Sequence, residues 1–512
     1  MSDLSWLPLA PVLTPLGTGL MLLWPWARRV RVTLSLLGTL ATLAFAAALL
    51  LATADGQVLV SALGGWPAPF GIVMTADRLA AWMSLLGAVT AVLTVWQAGA
   101  EPDPVREKHH LFALLQFLFA GVQLSFLTGD LFNLFVAFEV MLVASYALAV
   151  LGSTREGLRE GFRYIVMNLA ASALLVVTCG LAYGVLGTLN FAHLAQRSTA
   201  LGPNATVTSV GVLLLIVFAA KGALFPLGFW LPGTYPALPP AVGTFFAAVL
   251  TKVGVYALLR VFTTVFTQEA GVTNPLLLLL GTVTMLYGAL GAASQHEWRR
   301  VLSFVVISSV GYLAFGLGVG TPESVRATVA YLAVSVLVTA ALFTIAAVAE
   351  RASGTRRVRV RGMLEFLPLL AGCFLLCALT AAGLPPSGGF LAKYALVRAA
   401  LAQGSALAVL AVASALLSSL ITLYALLSVW RGFFWGRHPA ALPVLPVSPL
   451  LRSVAYAATG LVAGLTLLAG PLFGWAQATA AELSRPEGYI QGVLGDEPVV
   501  IPPPPTEQEN AP

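Results

Sequence analysis

Four ionisable residues stand in the middle of long apolar stretches: Glu139 in LFNLFVAFEVMLVASYALAV, Lys221 in LLLIVFAAKGALFPL, Lys252 in FFAAVLTKVGVYALL and Lys393 in SGGFLAKYALV. A charge at bilayer depth costs roughly 2.5–3.5 kcal/mol on insertion scales, so residues kept there have a use for charge. Proton relay is the chemistry that suits them. Desolvation penalises the charged form of either group, by as much as about 3–5 pH units at full burial, and brings lysine and glutamate alike towards the working pH. Each can then load and unload a proton. A carboxylate as deep as Glu139 needs a cation nearby, and Lys221 is the expected partner. Separating that pair would push a proton onward to Lys252. Lys252 lies too far from either end of its stretch to snorkel, whereas Lys221 and Lys393 sit beside Pro/Gly interruptions that could bring them nearer an interface. Thr251, Tyr256, Ser335 and Thr339 are candidate wire-lining residues, together with Ser172, Thr178, Thr244, Ser303, Ser308 and Ser309, although membrane hydroxyls often serve only a neighbouring helix or backbone.

The elements that carry these residues follow from composition. With 59% hydrophobic and 9% charged residues and a mean hydropathy of +0.90 over 512 residues, the chain has too little polar surface for a water-soluble globule. The apolar runs are about 20 residues long and lack strand alternation, so an all-α integral membrane protein is expected. Fourteen spans are expected, at roughly 4–26, 31–53, 74–98, 110–128, 131–152, 162–187, 207–230, 239–263, 274–294, 300–319, 324–350, 364–402, 405–430 and 451–475. The twelfth would be roughly 58 Å long as one helix, far beyond a hydrocarbon core of ~30 Å. Gly383, Pro385, Pro386, Gly388 and Gly389 therefore mark a break, and Pro226 to Pro236 mark another in the seventh. The broken helices are five spans apart, an odd number, so a repeat relating them is inverted. The expected organisation is residues 1–98 as three leading helices, 110–263 as a first repeat (spans 4 to 8), 274–430 as a second, 451–475 as the last span and 476–512 as a tail with a disordered end.

Eighteen of the 27 lysines and arginines fall in loops after odd-numbered spans, six on the opposite side, and three are the intramembrane lysines. By the positive-inside rule the odd loops are cytoplasmic and both termini lie outside. The net charge of +6 is then a basic face against anionic lipid and requires no nucleic acid. The first span is expected to be retained, since it has no basic n-region. Cys179, Cys373 and Cys377 lie in apolar helices and are expected as small buried side chains, not a disulfide or metal site. No metal-ligand spacing, phosphate loop or nucleophile elbow is present, and no cofactor is expected.

The runs TGDLFNLFVAFEVMLVASYAL, KGALFPLGFWLPGTYPALPPAVGTFFAAVLTKVGVYALLRVF and LPPSGGFLAK resemble the antiporter-like subunits shared by respiratory complex I and the Mrp cation/proton antiporters. The detailed match is to the D-type subunit of the Mrp antiporters, and the likeness covers nearly the whole chain. It implies fourteen helices with two inverted five-helix repeats, the Glu139–Lys221 pair, a central Lys252 and a terminal Lys393. It further implies a proton-translocating subunit of a multisubunit Na+/H+ antiporter in the bacterial cell (inner) membrane, a secondary transporter and not an enzyme. Its partners would be other Mrp subunits, including A and C, with membrane lipids, protons and Na+. The alternatives are a proton-pumping subunit of a complex I-like or hydrogenase complex, or a non-transporting scaffold. One departure is visible. Many relatives carry His or Lys in the eleventh span, and YLAVSVLVTAALF has neither, so Ser335, Thr339 and water would have to bridge Lys252 and Lys393.

Overall fold

The computed structural model describes residues 4–152, 154–268, 270–439 and 443–495. Among these, eleven helices are long and apolar enough to cross a bilayer: Arg28–Ala52, Arg78–Ala100, Leu131–Val150, Arg155–Leu186, Ala205–Gly222, Pro240–Val265, Ala270–Ser294, Trp298–Val319, Pro322–Ser353, Ala406–Phe433 and Pro449–Leu467. Three shorter apolar helices, Leu7–Met21, Leu111–Leu127 and Pro368–Ala382, lie where the first, fourth and twelfth spans are expected. The spans are numbered below in that chain order. Their starts are set by side-chain caps: Asp130 accepts from the Asn133 N–H at the fifth, Thr154 from Gly157 at the sixth and Ser387 from Phe390 in the twelfth.

The spans are layered by how much lipid they meet. The eighth and eleventh are completely covered over their apolar windows and the tenth is 94% covered, whereas the second and fourteenth are each only 33% covered. Helices enclosed by other helices are where polar atoms can sit at membrane depth without meeting lipid. The ninth and tenth spans come close because Gly281, Gly288 and Gly311 leave no side chain between their backbones.

Both breaks are present. The seventh span stops at Gly222, turns through Ala223 (φ 61°) and resumes as Leu231–Ala237. The twelfth stops at Ala382, turns through Gly383 (φ 84°) and resumes as Gly388–Gln403. In each, the first residue past the left-handed one returns its N–H five residues, Leu224 to Ala219 O (2.9 Å) and Leu384 to Leu379 O (3.0 Å).

Three features differ from expectation. The eighth span, expected as plain helix over 239–263, contains two π-helical turns, Phe246–Leu250 and Val261–Val265. The fourteenth ends at Leu467, and residues 476–495, expected as tail, belong largely to the helices Ala469–Leu483 and Glu487–Leu494. The expected disordered end, PPPPTEQENAP, lies outside the described residues. On the face where the described residues begin and end, β1 (Leu59–Ala62) pairs antiparallel with β2 (Val73–Ala76), Leu59 opposite Ala76, and Phe191–Leu201 forms a short helix between the sixth and seventh spans.

Candidate functional site

Lys221 lies in the last turn of the first half of the seventh span, where helix carbonyls run out of partners and the dipole favours a cation. It is 5% exposed. Its Nζ donates to Ser172 Oγ of the sixth span at 2.9 Å and stands 4.9 Å from the Phe138 ring centroid of the fifth. Glu139, the residue after Phe138, is half-buried and within electrostatic reach of Lys221. The two do not form a contact pair: Lys221 takes a neutral hydroxyl instead, and Glu139 Oε1 is buried without a hydrogen-bond partner. The amide freed by the break is satisfied from the ninth span, Phe225 N–H donating to Thr284 Oγ1 at 2.9 Å.

Lys252 is fully buried in the eighth span. Its Nζ donates to Ala247 O, five residues back in the first π-helical turn, at 3.1 Å. A widened turn loosens the carbonyl ladder, and such turns are frequent at functional sites. Spans seven and eight meet backbone to backbone at Gly222 and Gly254; a Cβ on Gly254 would stand 2.5 Å from the Gly222 nitrogen. That approach fixes Lys221 and Lys252 relative to each other. Thr251 Oγ1 is buried without a partner.

Four residues beyond Lys252, hence on the same helix face, Tyr256 donates its hydroxyl to Phe126 O at 2.6 Å. Four further on is Arg260. Counted among the six basic residues opposite the basic face, it is 2% exposed in the second half of the eighth span. Its guanidinium grips Asp77 through two bonds, 2.6 and 2.7 Å, at the start of the third span, and lies 5.0 Å from the Tyr489 ring. Of this Lys–Tyr–Arg–Asp lane, sequence reasoning finds only Lys252 and Tyr256. An arginine late in an apolar run, with an aspartate opening another, was the available signal for the rest.

Lys393 belongs to the second half of the twelfth span but reaches back over the break. Its Nζ donates to Ala381 O (2.9 Å) and Ala382 O (3.3 Å), the last carbonyls of the first half, and to Ser419 Oγ (3.3 Å). Gly383 leaves room for its stem. The ammonium stands 4.1 Å from the Tyr312 ring centroid and 6.0 Å from that of Tyr331. A cavity of about 20 Å³ beside it is lined by Ser309, Tyr331, Ser335, Thr339 and Thr422, enough for about one water. Ser335 Oγ donates to Ser309 Oγ at 3.1 Å. Ser335 and Thr339 therefore line the Lys393 chamber; Lys252 is not among its lining residues. Of the other hydroxyls, Ser308 lines this chamber, while Thr178 and Ser303 bond their own helix and Thr244 bonds Gln97 Oε1.

Three buried lysines thus donate to carbonyls and hydroxyls, two of them also against ring faces, and none of the described ion pairs includes them. The transmembrane model for NADH:quinone oxidoreductase and Mrp antiporter subunits matches residues 128–419, which enclose all four expected residues. The chain belongs to this family. The D-type subunit of a Na(+)/H(+) antiporter of Alkalihalophilus pseudofirmus is 40% identical over 444 residues, 85% of this chain and 88% of that one, and its counterpart in Bacillus subtilis is 37% identical over 441 residues, 84% and 87%. A chain of the Mrp complex from Dietzia sp. superposes with a TM-score of 0.90 at 29% identity, covering 97% of this chain and 100% of that one. Family membership makes this a multi-span membrane protein related to antiporter subunits that work within multisubunit complexes.

Proposed function

We propose that this chain is the proton-carrying, D-type subunit of an Mrp-type Na+/H+ antiporter, exchanging external protons for cytoplasmic Na+ as a secondary transporter. It would sit in the bacterial inner membrane with both termini outside, assembled with subunits that include A and C, and organised as two inverted five-helix repeats. Glu139, Lys221, Lys252 and Lys393 are the proton-transfer groups, and Ser335, Thr339, Tyr256 and Thr251 are the hydroxyls that line the proton wire.

The observation that carries this reading is the neutral coordination of the three ammoniums. A lysine locked to a carboxylate keeps its proton; one held by carbonyls and hydroxyls can give it up, because a neutral amine still donates to the same oxygens. Glu139 is then the adjustable charge. Moving its carboxylate towards Lys221 favours the ammonium there, and moving it away releases a proton towards Lys252. Lys221 sits in the last turn of one half-helix and the Lys393 ammonium reaches the carboxyl end of another, positions that stabilise a transient cation without fixing it. Passage between Lys252 and Lys393 needs water, since the eleventh span offers hydroxyls such as Tyr331, Ser335 and Thr339 but no histidine or lysine.

Lys252→Ala in the assembled complex is the test. Everted vesicles should lose Na+-driven collapse of a pH gradient while the complex purifies intact; full exchange at normal assembly would make the chain a scaffold.

A further inference from the structure

A cavity of about 480 Å³ lies on the arginine-rich face, away from the lysines, between the end of the ninth span, the last turns of the thirteenth and the segment leading into the twelfth. Its polar wall is made by Arg359, Arg361, Arg431, His296 and Ser428, with Trp435 at the rim, and no carboxylate is among the lining residues. Its size is within the range of about 300–1,000 Å³ usual for small-ligand sites. All three arginines are exposed and none is in a described ion pair. Arginine presents a planar fork of donors that matches a phosphate, and a cluster of three without an acid is a site for an anion.

The wall is preformed. The segment is stitched on one side to the turn between spans nine and ten, Val358 N–H to His296 O and Trp298 N–H to Arg356 O, both 3.0 Å. On the other it is stitched to the end of the thirteenth, Arg361 N–H to Gly432 O (3.0 Å), Gly362 N–H to Trp435 O (3.1 Å) and Met363 N–H to Phe433 O (3.2 Å). Arg361 is held at φ 63°, a left-handed conformation that side chains other than glycine rarely adopt. Backbone strain of that kind persists where the surroundings enforce it and gathers at functional sites. Here its effect is to keep the third guanidinium at the cavity. Below it, Leu416, Leu420 and Tyr424 are 55%, 64% and 63% exposed and succeed one another every four residues up the thirteenth span to Ser428. One helix face thus runs from a bare apolar strip into the cationic cavity, with Trp435 two residues past the end of the span, the kind of residue bilayer interfaces favour.

We propose that this cavity binds the phosphodiester headgroup of an anionic phospholipid, whose acyl chains lie along the Leu416–Leu420–Tyr424 face. The charge selects the headgroup and the apolar strip distinguishes a lipid from a free phosphate. Native mass spectrometry of the purified, assembled complex supplies the test, with phosphatidylglycerol, phosphatidylcholine and inorganic phosphate offered separately. The intact complex should retain phosphatidylglycerol at least tenfold over phosphatidylcholine. Combined Arg359→Gln, Arg361→Gln and Arg431→Gln should abolish the preference, and Arg29→Gln, Arg155→Gln and Arg351→Gln, three exposed arginines elsewhere on the same face, should keep it. Arg361→Gly, which relaxes the left-handed residue while removing its guanidinium, should lower retention several-fold with assembly unchanged. Equal loss in both triple variants, no loss in the first, displacement of the lipid by phosphate alone, or an acidic segment of a neighbouring subunit seated in the cavity would each overturn the proposal.

Discussion

Lys221 and Lys393 solve one electrostatic problem from opposite sides of a break. Lys221 ends a half-helix and takes a serine hydroxyl from the next span; Lys393 begins a half-helix and turns back to the carbonyls of the previous one. Lys393 thus takes the carbonyl end of a helix, and Lys221 a hydroxyl beside one, where a counter-ion would otherwise stand, which leaves the protonation state open. Glu139 is the carboxylate within electrostatic reach of Lys221, and its unpartnered Oε1 makes it, under the proposed function, the group whose movement matters. Glu139→Gln should reduce Na+/H+ exchange by more than tenfold in vesicles while the complex assembles normally, and Glu139→Asp should recover part of it. Wild-type exchange by the glutamine variant would remove Glu139 from the pathway. Lys393→Gln should likewise stop exchange without unfolding the chain, since an amide can still donate to Ala381 O; blue-native gels alongside transport assays separate the two effects.

At the scale of elements, positions can be read from the chain but local geometry cannot. The four charges, the two breaks and the spans are legible because each rests on one-dimensional signals: apolar run length, Pro/Gly clusters and the cost of charge in oil. The π-helical turns around Lys252, the left-handed Ala223 and the burial of Arg260 are not legible, because they come from packing between distant segments. Asp77 and Arg260 are 183 residues apart and find each other only once the third and eighth spans are side by side. A buried pair of this kind costs about 3–5 kcal/mol when one member is removed, because the other is left without compensation. Asp77→Asn or Arg260→Met alone should therefore lower the thermal midpoint and the yield of complex, and Asp77→Leu combined with Arg260→Met should recover most of both. If the double variant is as poor as the singles, the lane beyond Tyr256 has a role other than holding two helices together. The Gly222–Gly254 contact makes a second case. Gly254→Ala should destabilise by about 1–3 kcal/mol through overpacking and depress transport, whereas Gly372→Ala, where a Cβ meets nothing within 4 Å, should be silent in the same thermal-shift and transport measurements.

Across the whole molecule the two faces are built differently. The arginine-rich face is a field of exposed guanidinium groups, while the opposite face is closed by the β-hairpin and two short helices, Ala469–Leu483 and Glu487–Leu494. Those helices are fastened at one ionic cluster: Glu482 meets Arg78 at 2.7 Å, close to the Asp77–Arg260 pair, and Tyr489 stacks on Arg260. Burial pushes the Glu482 carboxyl up to about 7; Arg78 and Arg260 oppose the rise and Asp77 adds to it. A carboxyl whose folded value lies above its unfolded one contributes stability that is complete below the ordinary carboxyl range and is lost as pH rises through the folded value. The docking of residues 487–494 should accordingly loosen as pH climbs through about 7. Hydrogen–deuterium exchange of that helix, corrected for the intrinsic effect of pH, should rise between pH 6 and pH 8 in the wild type. Glu482→Gln, which mimics the protonated carboxyl, should hold the low-pH rate throughout. An unchanged pH profile in that variant would mean that the closure of this face does not depend on the charge of Glu482.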